Sequence, residues 1–238
     1  MSSQTPTLAL WVFNLSKPIS SLTEWADWIK EGLSDAKQHN ADLLVVPEYA
    51  CESWLAFAPK SLTVTDEVQW LAEQSKKVFP LLESLVNEIG IALVAGTMPW
   101  LEENSKMPTN RAWIFLPQRT PIPYDKLSLT PSERDQNGWF LGTGNTIKIF
   151  EWKNIKYAVL ICLDVEMPYL SYLLSKEEID VLLVPSLTEK LSGYHRVFDC
   201  AKARAIEMMC AVAVVGCIGS VPRDENPSSY ISGAALYL

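Results

Sequence analysis

Six short apolar runs, none longer than nine residues, constrain this chain more than any other feature: ADLLVVPE (41–48), IALVAGTM (91–98), RAWIFLP (111–117), YAVLIC (157–162), DVLLVPS (180–186) and AVAVVGCIG (211–219). They are too short to cross a membrane and too continuous to be strands with one wet face. Runs of this kind are strands buried on both sides, and a sheet covered on both faces needs helices to cover it. The segments between them supply those helices. Ser21-x-x-Glu24 is a capping box opening a helix whose Leu22, Trp25, Ile29, Leu33 and Ala36 share one face. A second helical pattern runs from Asp66 to about Ile89, with Pro80 predicting a break or kink and Gly90 placed to cap its end. A third follows Pro168, and a fourth spans YHRVFDCAKARAIEMMC.

Not every strand is parallel. TIKIFEWKNIKYAVLIC has the pattern of a hairpin turning at Lys153 and Asn154, so the expected fold is α/β with a mixed sheet. TLALWVFNL (7–15) reads as one further strand, and the closing ISGAALYL as another. The stretch RTPIPYDKLSLTPSERD has too many prolines for an interior strand or helix and reads as a loop. The 238 residues, 48% of them hydrophobic, suffice for one good-sized core, so a single domain over 1–238 is expected.

Charge and cysteine usage narrow the partners. A net charge of −8 without a dense Lys/Arg cluster disfavours nucleic acid and anionic membrane surfaces, leaving small molecules or proteins. The first fifteen residues lack a basic region ahead of their apolar run, so no signal peptide is expected and the chain reads as cytoplasmic. Five cysteines without C-x-x-C spacing, beside two histidines, disfavour both a disulfide framework and a zinc site.

In α/β sheets, chemistry gathers outside the carboxyl ends of strands. There stand Glu48 after ADLLVVP, Cys162 after YAVLI and Ser186 after DVLLVP, and the basic residue nearest such a position is Lys126 in YDKLSLTPSE. A carboxylate, an ammonium and a thiol converging at one edge would supply base, oxyanion stabiliser and nucleophile. Singly, each has a blander reading: a cysteine ending a buried strand is usually core, and Glu48 or Lys126 alone would be an ordinary solvated charge. Asp164 and Glu166, just before a helix, suit N-terminal capping better than catalysis. His195, beside Arg196, reads as a cap or a residue supporting the site from behind rather than the partner of a Cys/His hydrolase. Cys200, Cys210 and Cys217 read as packing, while Trp54 and Trp139 are candidates to line a pocket.

Taken together and in order, VVPEY with Glu48, KLSLTPSE with Lys126 and Glu133 seven positions on, ICLDVEMP with Cys162, and the ARAIE of 203–207 resemble the nitrilase, or carbon-nitrogen hydrolase, superfamily. The chain departs from that pattern at Leu163, where an aromatic is common, and at Met208, where many members carry Asn. The resemblance implies a four-layer αββα sandwich assembling into a homodimer or higher homo-oligomer, with a C-terminal tail beyond this domain. It implies a hydrolase needing no cofactor and no metal, which cleaves a non-peptide C–N bond of a small amide or nitrile through a thioester. Cys162 would be the nucleophile, Glu48 the general base, Lys126 the group that both favours the thiolate and stabilises the oxyanion with the Leu163 amide, and Glu133 a second glutamate orienting Lys126 or the substrate. Within the family an amidase is expected first, with nitrilase and carbamoylase as alternatives. A catalytically inactive ligand-binding or scaffold protein of the same fold is the competing reading, against which the complete set of four residues speaks.

Overall fold

The computed structural model describes residues 5–222 and 229–238. The extreme N-terminus, on which part of the signal-peptide expectation rests, lies outside them at residues 1–4. Two sheets make the frame. The first has the order β1 (Leu8–Leu10), β3 (Leu43–Val46), β4 (Ala92–Trp100), β5 (Thr109–Phe115) and β6 (Ile122–Asp125). The second runs β11 (Ala234–Tyr237), β10 (Ala211–Ile218), β9 (Val181–Ser186), β8 (Ile155–Val159) and β7 (Ile149–Trp152), with β2 (Phe13–Asn14) pairing parallel to β10. The first sheet is parallel from β1 through β3 to β4 and antiparallel from β4 to β6, and the second is parallel across β8, β9 and β10 and antiparallel at β7 and β11.

Alternation along the strands explains the layers. Leu43 and Val45 of β3, Val94 of β4 and Ile114 of β5 pack with Tyr157, Val159, Leu183 and Val214 of the other sheet in one continuous core. Their neighbours Leu44, Val46, Leu93 and Phe115 face the opposite way, onto Trp25, Ile29 and Leu33 of α1 (Leu22–Gln38) and Leu71, Val78 and Leu82 of α2 (Val64–Ile89). On the far side, α3 (Pro168–Leu174) and α4 (Leu191–Met208) contribute Leu170, Leu174, Val197, Phe198 and Ala201 to the core beneath the second sheet. The result is the expected helix–sheet–sheet–helix sandwich.

Several local expectations need revision. The run 7–15 is not one strand: β1 joins the first sheet and β2 the second, so this segment crosses between the layers within a few residues. Pro80 does not break α2, which continues from Val64 to Ile89. The backbone bond lost to the ring costs about 3 kcal/mol, and the buried stripe Leu71, Val78, Leu82 and Val86 offsets it. The proline-rich stretch contains β6, which lies at a sheet edge, where a residue without an N–H can be accommodated. The Ser21 cap holds, its hydroxyl accepting from Glu24 N at 3.2 Å, but the Glu24 carboxylate turns back to Ser20 rather than to Ser21. Gly90 closes α2 at φ +82°, and the turn at Lys153 and Asn154 joins β7 to β8.

Candidate active site

Three sharp turns bring the functional side chains together. After β3, Pro47 and Glu48 leave the sheet and Tyr49 adopts a left-handed φ of +52° that starts a 3-10 turn, Ala50–Phe57. The approach of this turn to β4 is close. A Cβ on Gly96, at φ +66°, would stand 2.1 Å from the Pro47 carbonyl oxygen, so only glycine fits beneath Glu48. The second turn begins three residues past β8. Cys162 takes a left-handed φ of +46° and opens the 3-10 turn Cys162–Glu166. A non-glycine residue held in that region costs of order 1 kcal/mol and is found where a side chain must be aimed. The third is the loop after β6, entered through a bond from Lys126 N to the Asn110 carbonyl at 2.9 Å.

Lys126 is 1% exposed and its ammonium joins the two glutamates: Nζ is 2.8 Å from Glu48 Oε1 and 3.0 and 2.8 Å from Glu133 Oε1 and Oε2. Asn110, at the start of β5, reinforces the bridge, its Nδ2 donating to Glu48 Oε1 and to Glu133 Oε1, each at 2.9 Å. Glu133 also accepts from the Tyr49 hydroxyl at 2.7 Å and from the N–H of Thr130 at 2.8 Å. The remaining Glu48 oxygen accepts from Leu187 N at 2.9 Å, and the carbonyl of the same Leu187 accepts from the Cys162 thiol at 3.5 Å. One residue past β9 thus ties acid and thiol together.

The charges are not equivalent. Burial opposes the ionised form of Glu133, but Lys126 and the surrounding donors outweigh it and hold this carboxyl below its usual range. Burial pushes Glu48 up, with the Glu133 charge adding to it and Lys126 only partly compensating. Lys126 would be driven toward neutrality by burial, yet Glu48 and Glu133 raise it, so it stays an ammonium. Cys162 departs from expectation. Burial, then the Glu48 charge, push its thiol well up, and Lys126 lowers it too little to win. The ammonium beside Cys162 already serves two carboxylates, so the resting sulfur carries its proton.

The four residues Glu48, Lys126, Glu133 and Cys162 are therefore gathered in one buried cluster, while other candidates fall elsewhere. Ser186 donates to the Val215 carbonyl inside the sheet. His195 lies within α4 against Tyr194, and Lys190, not His195, occupies the cap position, so of its two readings the cap does not hold. Trp54 is wholly buried edge-on against Trp25, and Trp139 stands edge-on to Tyr49 at 5.1 Å. Cys210 and Cys217 are buried as expected, and Cys200 is partly exposed. Sequence reasoning missed Asn110, Tyr49 and Leu187. None of the three stands out in the sequence: Asn110 sits between Thr109 and Arg111 at the polar start of β5. Among the described residues no group of His, Cys, Asp and Glu is arranged to hold a metal ion, and no helix is long and apolar enough to cross a membrane.

A sandwich of two mixed sheets with these strand-end residues matches a known family. The family model described as Carbon-nitrogen hydrolase matches residues 11–236, and the chain belongs to that family. Among curated proteins, it is 28% identical over 210 residues to the probable hydrolase YhcX of Bacillus subtilis, covering 88% of this chain and 40% of that protein. It is 29% identical over 157 residues to the omega-amidase NIT2 of Xenopus tropicalis, covering 63% of this chain and 54% of that one. The chain thus spans about half or less of these relatives' lengths. Its fold is that of the Nesterenkonia sp. AN1 amidase (TM-score 0.76, 20% identity, 98% of this chain and 84% of that one). Nit3 of Saccharomyces cerevisiae, a nitrilase-superfamily member, is similar (TM-score 0.74, 22% identity, 97% and 81%).

Proposed function

We propose that this chain is a cofactor-independent thiol hydrolase that cleaves the C–N bond of a small amide through a thioester on Cys162. The observation that carries the reading is the Lys126 ammonium held at 2.8 Å from both Glu48 and Glu133 inside the fold, with a buried thiol beside them. A core that needed only stability would not bury an excess carboxylate next to a cysteine.

Glu48, its pKa raised toward the working range, removes the Cys162 proton as sulfur attacks the carbonyl carbon. The oxyanion forms toward Lys126 and the Leu163 N–H. Protonated Glu48 then gives its proton to the nitrogen, the C–N bond breaks, and ammonia or an amine leaves a thioester. Water attacks that thioester, with Glu48 taking its proton and returning it to sulfur as the acid departs. Glu133, ionised and fully hydrogen-bonded, keeps Lys126 in place. One mutant of the Nesterenkonia amidase shows covalent addition of the acetamide moiety of fluoroacetamide at the active-site cysteine, and a double mutant of it is in complex with acrylamide. Both favour amides over nitriles or carbamoyl compounds here. The five unpaired cysteines favour a reducing, cytoplasmic setting. Exposed Tyr169 and Tyr172 on α3, with Ile206 on α4 and Met209 just after it, favour self-association through the outer helix layer, which sedimentation would test.

An ammonia-release screen over small amides, nitriles and N-carbamoyl acids tests the assignment. Cys162→Ala should fold normally and release no ammonia from any of them. Normal release by that variant would show that Cys162 is not the nucleophile.

A further inference from the structure

Asp164 lies two residues past Cys162 and is wholly buried. Capping accounts for only one of its bonds, from Ile161 N to Oδ2 at 3.2 Å. The other donors come from across the site. The Tyr124 hydroxyl reaches Oδ2 at 2.8 Å, Ser128 N reaches Oδ1 at 2.7 Å, and Leu127 N reaches Oδ1 at 3.2 Å. Tyr124 precedes Lys126 by two residues in β6, and Leu127 and Ser128 follow it directly. One carboxylate therefore clasps the segment on both sides of Lys126 and fastens it to the turn that aims Cys162. The two pieces come from different sheets, β6 of the first and β8 of the second, and no strand pairing fixes their separation.

We propose that Asp164 is a positioning residue that sets Lys126 relative to the Cys162 sulfur, so that the ammonium meets the oxyanion when it forms. The inference rests on the thiol-hydrolase reading of the site. Its chemical requirement is an acceptor on both sides. Each oxygen of Asp164 receives a backbone N–H, so asparagine, however its amide is turned, must set an NH2 against one of them. Asp164→Asn keeps the shape and breaks the clasp.

Two probes of Cys162 separate positioning from general damage. Acylation by p-nitrophenyl acetate passes through a tetrahedral oxyanion, while methyl methanethiosulfonate reacts by displacement at sulfur and forms none. In Asp164→Asn, acylation of Cys162 should fall about 100-fold, as expected when a stabilising group is displaced by an ångström. Modification by the thiosulfonate should stay within about threefold, since Cys162 and Glu48 are both retained and no oxyanion forms. Equal losses with both reagents, or no loss in acylation, would overturn the proposal. If Asp164→Asn does not fold, Tyr124→Phe carries the test. It removes one donor and should slow acylation about fivefold with thiosulfonate modification again unchanged, and an unchanged acylation rate there overturns the proposal equally. Cys162→Ala distinguishes the two levels: wild-type acylation that survives this change refutes the nucleophile and the inference with it, whereas Cys162-dependent acylation at full rate in Asp164→Asn refutes the positioning role alone.

Discussion

Two buried cations stand on neighbouring rungs of the same strand pair, and only one of them belongs to the active site. Arg111 of β5 lies opposite Asp125 of β6, and one residue away on each strand Asn110 meets the backbone of Lys126. Because successive residues of a strand point to opposite faces, the first pair looks one way and the second the other. Arg111 is held by a bidentate bond to Asp125, at 2.7 and 2.8 Å, by Glu102, and by the faces of Trp100 and Trp113. Its partner Glu102 is 57% exposed, so water shares the charge. Lys126 has no such outlet. Its two carboxylates are both buried, and they are driven apart, Glu133 down and Glu48 up. An arginine with one solvated acid among its partners is a fastener, whereas a lysine between two sealed acids leaves one of them close to taking a proton.

The difference is broken most severely at Lys126. Lys126→Met leaves two buried carboxylates without a cation, which should cost about 3–5 kcal/mol of stability and lower turnover by at least about 1000-fold. Urea unfolding alongside an ammonia-release assay reads both. A variant that keeps either full stability or full turnover would contradict the bridge as described.

Glu48→Gln isolates the surplus carboxylate. The same group is proposed to serve acylation and deacylation, so turnover should fall by about 100- to 10,000-fold, and p-nitrophenyl acetate should either fail to acylate Cys162 or leave an acetyl group that persists. Mass analysis of the Cys162 peptide over time decides, and wild-type deacylation would remove Glu48 from the mechanism. Arg111→Met is the control on the other face. It should cost about 2 kcal/mol, below the fully buried case because Glu102 returns to water, while turnover stays within about threefold. A loss of turnover as large as that of Lys126→Met would erase the distinction between the two cations.

The same contrast shows what the sequence could disclose. Glu48 and Cys162 were legible because each follows an apolar run directly, and Lys126 with Glu133 because their spacing matches a family pattern. The partners that fix their geometry were not. Leu187 acts through its backbone, Tyr49 through a hydroxyl that reaches across the fold, and Asp164 mimics a cap because one of its bonds is a cap. The charge state of Cys162 was misjudged for a related reason. A lysine near a cysteine suggests a thiolate, but the outcome depends on how many carboxylates share that lysine, a count only the folded chain supplies. In the fold, β6 was hidden by prolines that an edge strand tolerates, and the split of 7–15 between two sheets leaves the hydrophobic pattern unchanged.

Glu52 extends the comparison to an acid with no cation paired to it among the described residues. It lies four residues past Glu48 in the 3-10 turn, is 7% exposed, and accepts from the Tyr230 hydroxyl at 3.3 Å. Burial pushes its carboxyl up to about 8; the charges of Glu48, Glu67 and Glu189 add to this and Tyr230 opposes it. In the unfolded chain the same group titrates near 4.5. The folded protein therefore holds this proton more tightly, and the stability it brings is present in full below about pH 4.5 and is lost as pH rises through about 8. Glutamine cannot titrate, so Glu52→Gln should match the wild type near pH 5 and exceed it by about 2 kcal/mol near pH 9, after allowance for relaxation around the charge. Urea unfolding of both proteins at the two pH values gives the answer. A stability difference that is the same at both would mean that Glu52 is already ionised in the folded state.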